Sequence, residues 1–149
     1  MVELKKVDEH NWEAVSSLEV EPHQKSYIES NRQSLLEAAY DRSLKWHPYG
    51  VYAEKTLIGF VMIGDYDSEE QTIWLDRIMI SKEHQGRGLG YEVMNAAVMH
   101  IKKNWTVKKI ILSVTPDNQA AWSFYEKYGF KDTGAIDPAN GEHLMTYLL

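Results

Sequence analysis

The 149-residue chain has no cysteine. That excludes disulfides, thiolate metal sites and a cysteine nucleophile, and it fits a reducing compartment such as the cytoplasm. No apolar run approaches the eighteen or so residues of a membrane span, so no membrane partner is expected. The first residues, Met1-Val2-Glu3-Leu4-Lys5-Lys6, lack the apolar core of a signal peptide. Positive charge is short as well: 16 Lys and Arg stand against 22 Asp and Glu, a formal net charge of −6. Nucleic-acid binding needs clustered cations to neutralise phosphates, so that class is disfavoured. The six histidines form no His-x-x-x-His pair, and no metal is expected. What remains, 44% apolar and 26% charged residues, is the balance of a soluble globular protein. The length suits one domain over residues 1–149 with a real core.

The acidic charge is uneven. Residues 1–75 carry 14 acidic and 7 basic side chains; residues 76–149 carry 8 and 9. This is either a solvated acidic surface or a sign that one half meets a cationic ligand and the other an anionic one.

Hydrophobic periodicity and turn residues divide the chain into alternating elements. A strand is predicted at Val2–Val7, then a helix at Trp12–Leu18 capped by Asp8 or Asn11, then a helix over Tyr27–Ser43. Pro48 and Gly50 are expected to break the chain before a hairpin, Val51–Ala53 and Thr56–Gly64, joined at Glu54-Lys55. The polar stretch Tyr66–Gln71 leads into a strand at Thr72–Ile80. A helix from about Gly88 to Lys103 presents Leu89, Val93, Ala97 and Ile101 on one stripe, flanked by Met94 and Val98. A strand at Lys109–Thr115, a helix at Asn118–Tyr128 closed by Gly129, and strands near Phe130–Ala135 and His143–Leu148 follow. The order implies a mixed α/β (α+β) sheet, mostly antiparallel, with helices on its faces.

The segment Gln85-Gly86-Arg87-Gly88-Leu89-Gly90 lies between a strand and a helix. A helix start offers unpaired N–H groups and the positive end of its dipole, and glycines let a phosphate approach the backbone. Arg87 adds a charge there. Alone, the pattern is also compatible with a tight turn that binds nothing. A P-loop would need a lysine followed by a hydroxyl, which is absent, and a dinucleotide fold would carry its glycines after the first strand of a parallel sheet.

Gln85-x-x-Gly88-x-Gly90, preceded by Leu75-Asp76-Arg77-Ile78-Met79-Ile80, resembles the acetyl-CoA signature of the GNAT superfamily of N-acetyltransferases. Asn118-x-x-Ala121-x-x-x-Tyr125-x-Lys127-x-Gly129-Phe130 resembles its second signature. The resemblance implies a V-shaped splay between the fourth and fifth strands, with acetyl-CoA as co-substrate. It assigns the cofactor to backbone along Ile78, Met79 and Ile80, to the amides from Gln85 through Gly86, Arg87, Gly88, Leu89, Gly90 and Tyr91, and to Asn118. Asn118 is equally suited to capping the following helix. The resemblance makes Tyr125 the acid that protonates the leaving thiolate; without it, a tyrosine among Phe124 and Tyr128 reads as core. With no cysteine to carry an acetyl group, direct attack by an amine in a ternary complex is expected.

Ser26-Tyr27-Ile28-Glu29-Ser30 and Trp74-Leu75-Asp76-Arg77 narrow the resemblance to bacterial spermine/spermidine acetyltransferases. It implies a polyamine acceptor, with Asp76 or a water chain as base; a long polycation needs carboxylates along a groove, and the substrate contacts expected on the acidic half are Glu29, Glu37, Asp41 and Asp76, with Trp74 adding a cation–π or methylene contact. Asp76 paired only with Arg77, and the other acids as plain surface, are the bland readings. Asp65, Asp67, Glu69 and Glu70 belong to the same acidic half. Other amines, such as an aminoglycoside, an amino acid or a protein N-terminus, are the enzymatic alternative; a non-catalytic acyl-CoA sensor is the other. Dimers are common among such enzymes, and the C-terminal strands offer a surface for a homodimer.

Overall fold

The computed structural model describes residues 1–149. The elements run β1 (Val2–Lys6), α1 (Trp12–Ser17), α2 (Asn31–Tyr40), β2 (His47–Ala53), β3 (Thr56–Asp67), β4 (Thr72–Ile80), α3 (Gly90–Asn104), β5 (Lys109–Val114), α4 (Gln119–Tyr128), β6 (Lys131–Ile136) and β7 (His143–Leu148). The strands form one sheet in the order β1-β2-β3-β4-β5-β7-β6, antiparallel except for β4 beside β5. No helix is long and apolar enough to cross a membrane.

Strand alternation sends β3 side chains to opposite faces. Val61 and Ile63 join Val93, Met94, Ala97 and Ile101 of α3, while Phe60 and Met62 join Val15 of α1. Leu35 and Ala38 of α2 pack at the edge of that second cluster. The sheet is therefore covered on both faces. The stripe expected on α3 is the buried one, with Leu89 at its rim. The β2–β3 turn uses Glu54 and Lys55 at φ 47° and 72°, the handedness that follows the strand twist, without glycine.

Two expectations are corrected. The helix predicted over Tyr27–Ser43 begins only at Asn31, because the Ser30 side chain accepts from the Gln33 N–H at 3.1 Å and caps it there. Its inward face carries Asn31 and Ser34, while Leu36 is exposed. Asn31 is tolerated because its Nδ2 donates to the Val15 carbonyl at 2.9 Å. Pro48 and Gly50 do not break the chain but lie within β2. Gly50 is where α1 approaches the sheet: a Cβ there would lie 3.3 Å from Val15 Cγ2.

Away from the cleft described below, His100 of α3 packs edge-on to Tyr49 and faces Trp105, which also meets His47. The His100 Nε2 is buried without a partner. Burial, then Lys103, His47 and Lys6, holds His100 below its usual 6.5; burial, then Lys6, does the same for His47. The unfolded chain thus binds these protons more readily, and the folded state is favoured fully above about pH 6.5 and progressively less as pH falls through the lowered values. Denaturant midpoints are expected to fall between about pH 7 and about pH 5, and His100→Phe to flatten that dependence. An equally steep profile in the variant would clear His100 of the effect.

Candidate active site

β4 and β5 pair at three positions, Thr72 with Lys109, Ile73 with Ile110 and Trp74 with Ile111, and then diverge. The divergence begins beside a bulge. Ile63 of β3 opposes Leu75 and Met62 opposes Arg77, so Asp76 is the extra residue. A bulge bends its strand, increases the twist and re-aims side chains. Beyond Trp74 the β4 edge has no partner on β5, and a cleft of about 870 Å³ opens between the strands.

At one end of the cleft is the start of α3. Gly86 and Gly88 have φ of 76° and 75°, and a Cβ on either would meet nothing within 4 Å. Leu89 caps α3 without a side-chain bond, and no acceptor takes the amides from Gly86 to Glu92. Arg87 is exposed and in no ion pair. Gly90 lies on the Phe124 ring, 3.2 Å from where a Cβ would stand, and Tyr91 is exposed against Tyr128. The Gln85 side chain works within the fold, its Nε2 donating to Gln24 at 2.9 Å and to the Ile80 carbonyl at 2.8 Å. Ile78, Met79 and Ile80 all line the cleft, and the Met79 side chain also packs into the opposite cluster with Phe60.

Along the middle lie Asn118 and Tyr125. Asn118 lines the cleft and caps α4, accepting from the Ala121 N–H at 3.4 Å. Tyr125 lies between the Phe124 and Phe130 rings, and its hydroxyl makes no hydrogen bond within the protein. Burial pushes its phenol up to about 12. Buried Thr115 Oγ1 and Arg77 Nε, from residues on the cleft wall, are also without partners. Free amides at a glycine-lined helix start, an unpaired strand edge and these orphaned polar atoms fit a long ligand with an anionic end and amide groups.

At the far end stands Asp76. Its carboxylate pairs with the Arg77 guanidinium, which also donates to Glu37 of α2 at 3.0 Å. Burial raises the Asp76 pKa; Arg77 opposes that, and the charges of Glu37 and Glu142 add to it. Glu29 and Trp74 line the cleft with Asp76. Glu37 and Asp41 lie outside its lining: Glu37 is taken up by Arg77, and Asp41 accepts from the Ser43 hydroxyl at 2.9 Å. Of the other acids in the N-terminal half, Asp65 reaches the cleft, while Asp67 caps the turn through the N–H groups of Glu69 and Glu70.

The lining also includes Ser113, Asp137, Asn140 and Glu142, none of them singled out from the sequence. Asp137-Pro138-Ala139-Asn140-Gly141 reads locally as a turn, and only the pairing of β7 with β5 brings it over the cleft.

Known proteins resemble the chain in sequence and in fold. The chain fits the profile described as the acetyltransferase (GNAT) family over residues 12–130. It is 36% identical to the spermine/spermidine N(1)-acetyltransferase of Bacillus subtilis (strain 168), covering 97% of this chain and 96% of that one. The probable spermine N(1)-acetyltransferase of Bacillus subtilis subsp. natto is similar to the same extent. Among solved structures, the spermidine N-acetyltransferase from Vibrio cholerae in complex with CoA and spermine aligns with a TM-score of 0.76 at 22% identity, over 99% of this chain and 95% of that one. The aminoglycoside acetyltransferase AAC(6')-Ib in complex with coenzyme A aligns at 0.81 and 20% identity, with the same coverage. These two likenesses establish the fold. With the family profile covering the glycine turn, the splay and α4 together, the chain belongs to the acetyltransferase (GNAT) family.

Proposed function

We propose that this protein acetylates a primary amine of a polyamine, spermine or spermidine, using acetyl-CoA in a ternary complex. The observation that carries the acceptor is 36% identity, over 97% of the chain, to an enzyme named for spermine and spermidine. The cleft agrees in charge: Asp76 is half-buried on its wall, and Glu29 and Asp65 lie at its exposed margin. A thiol-release assay with acetyl-CoA over spermine, spermidine, an aminoglycoside and amino acids tests the reading. No turnover of either polyamine at about millimolar concentration, alongside turnover of another amine, overturns the acceptor; CoA binding without turnover of any amine favours a sensor.

Acetyl-CoA supplies an acetyl group activated as a thioester. The residues placed to hold it are the amides from Gln85 to Tyr91 with Arg87 for the pyrophosphate, the β4 backbone at Ile78, Met79 and Ile80, and Asn118 for the pantetheine arm. Asp76 takes a proton from the substrate ammonium, whose pKa lies near 10.4 as in lysine, and leaves a neutral nitrogen to attack. As the new C–N bond forms and the C–S bond breaks, Tyr125 donates a hydrogen bond to the departing sulfur, and the surplus proton of the acetylated nitrogen passes through water to the thiolate, giving the amide and the free thiol. A phenol near 12 is fully protonated at neutral pH. Complete transfer to a thiolate of pKa about 8.5 would be uphill by about 5 kcal/mol, so Tyr125 acts by a hydrogen bond that strengthens as charge develops.

Gly88→Val is expected to weaken CoA binding at least about tenfold, since its side chain would enter the space the phosphates need and φ there is 75°. Gly134→Ala, at φ 82° and with open surroundings, controls for backbone strain alone. Calorimetry with CoA reads both, and equal affinities would misplace the phosphate cradle. We infer also that the chain self-associates, with a homodimer as the simplest closed form. β6 is an exposed edge strand, and the Vibrio cholerae spermidine N-acetyltransferase has been solved as a dodecamer. A monomer mass by light scattering would overturn this.

A further inference from the structure

We propose that Glu142 is the second carboxylate of the acceptor site, receiving the ammonium end of the amine from the β7 side of the cleft while Asp76 receives it from β4. This rests on the amine-acetylating reading above and goes beyond it by naming a residue that determines preference for cationic acceptors.

The argument begins with how the β6–β7 turn is held. Asp137 N–H donates to the Glu142 carbonyl at 2.8 Å, Gly141 N–H to the Asp137 carbonyl at 2.8 Å, and Glu142 N–H to Asn140 Oδ1 at 2.9 Å. The turn is therefore cross-braced where Glu142 leaves it. Its side chain is braced too: Asn140 Nδ2 donates to Oε2, and the Ser113 hydroxyl on β5 donates to Oε1 at 3.4 Å. Ser113 lies two residues beyond the last β5 residue paired with β4, so the Glu142 carboxylate stands on the opposite wall of the splay from the Asp76 bulge.

Both donors to Glu142 are neutral, and no Lys or Arg pairs with it. An ionised carboxylate has about four acceptor positions, so about half remain for a ligand. By contrast, Glu37 and Asp76 share the Arg77 guanidinium. Of the other acids on the cleft, Glu29 and Asp65 are exposed, and Asp137 spends one oxygen on the Ala139 N–H. Glu142 and Asp76 line the same cleft, and among these acids the charge of Glu142 alone adds to the upward shift of Asp76. Two anions there are repulsive when the site is empty and become favourable around one ammonium. The groups facing Asp76 are Arg77 on its own strand, Glu37 from α2 and Glu142 from the β6–β7 turn.

Glu142→Gln keeps the size and both neighbours, its oxygen accepting from Asn140 Nδ2 and its amide nitrogen donating to the Ser113 hydroxyl in a reversed bond, but removes the charge. The KM for spermidine is expected to rise about tenfold while kcat and the KM for acetyl-CoA stay within about twofold. The acid limb of kcat/KM should also move to lower pH, because a neighbour that raises Asp76 is gone. A structural role alone would not produce that shift. Ser113→Ala, which removes one of the two donors that hold the carboxylate in position, should raise the spermidine KM in the same direction by a smaller factor. It serves as the deciding variant if Glu142→Gln fails to fold, as read by CoA binding. Unchanged spermidine KM with an unmoved acid limb overturns the proposal. If the wild type neither binds spermidine by calorimetry nor acetylates any amine, the polyamine reading itself falls, a result distinct from a working enzyme indifferent to Glu142.

Discussion

Tyr125→Phe is expected to slow acetyl transfer roughly 10²–10⁴-fold while leaving CoA affinity nearly intact. The substitution removes one oxygen and nothing else. Ring packing against Phe124 and Phe130 is retained, and the lost hydroxyl has no partner within the protein, so no buried group is orphaned. Stability should therefore be little changed, which separates chemistry from unfolding. The size of the effect follows from what the hydroxyl meets during the reaction. In the proposed mechanism it would bind the sulfur weakly as a thioester and strongly as charge develops, so its removal should lower kcat more than it raises either KM. Single-turnover rates for variant and wild type decide the matter, and equal rates remove Tyr125 as the donor.

Asp76→Asn is expected to lower kcat/KM for a polyamine roughly 10²–10³-fold near neutral pH, with activity returning as the pH approaches the amine's own pKa near 10.4. The alkaline recovery distinguishes a base from a simple anchor: once solvent has removed the ammonium proton, the missing carboxylate no longer matters. Burial, set against Arg77 and reinforced by Glu37 and Glu142, raises the Asp76 pKa above its usual 3.8, making it a better base than an exposed aspartate. The same shift predicts the stability of the variant. Because the folded pKa is raised, the folded state disfavours the ionised form above that pKa, and a neutral Asn should leave the unfolding midpoint at neutral pH intact. A variant as active as wild type with an unaltered pH profile would assign the base to a water chain.

Several features of the fold are legible locally. Thr72–Ile80 and His143–Leu148 are strands with the bounds their alternation implies, and α3 buries the stripe its period implies. Misreadings cluster on the acceptor side. Residues 27–30 precede α2 because Ser30 caps it, and Leu36 faces outward while polar Asn31 turns inward, since its bond to Val15 depends on where α1 has already packed. A periodicity count registers Leu36 and cannot register that bond.

The sequence by itself determined the family, the element order and the glycine-rich helix start at one end of the cleft. These rest on short-range spacing: glycines at 86, 88 and 90 set the backbone at a helix start, and the run from Asn118 to Tyr125 sets one helix face. The tertiary structure decided the other end, where the acceptor site is proposed. The bulge at Asp76 depends on β3 register, Glu37 is drawn to Arg77 across forty residues of sequence, and Glu142 reaches the cleft through the β5–β7 pairing. The physical reason is one of range. An anion cradle at a helix N-terminus is built by consecutive amides, whereas a site for a cation is built by carboxylates whose positions are set by different strands and helices.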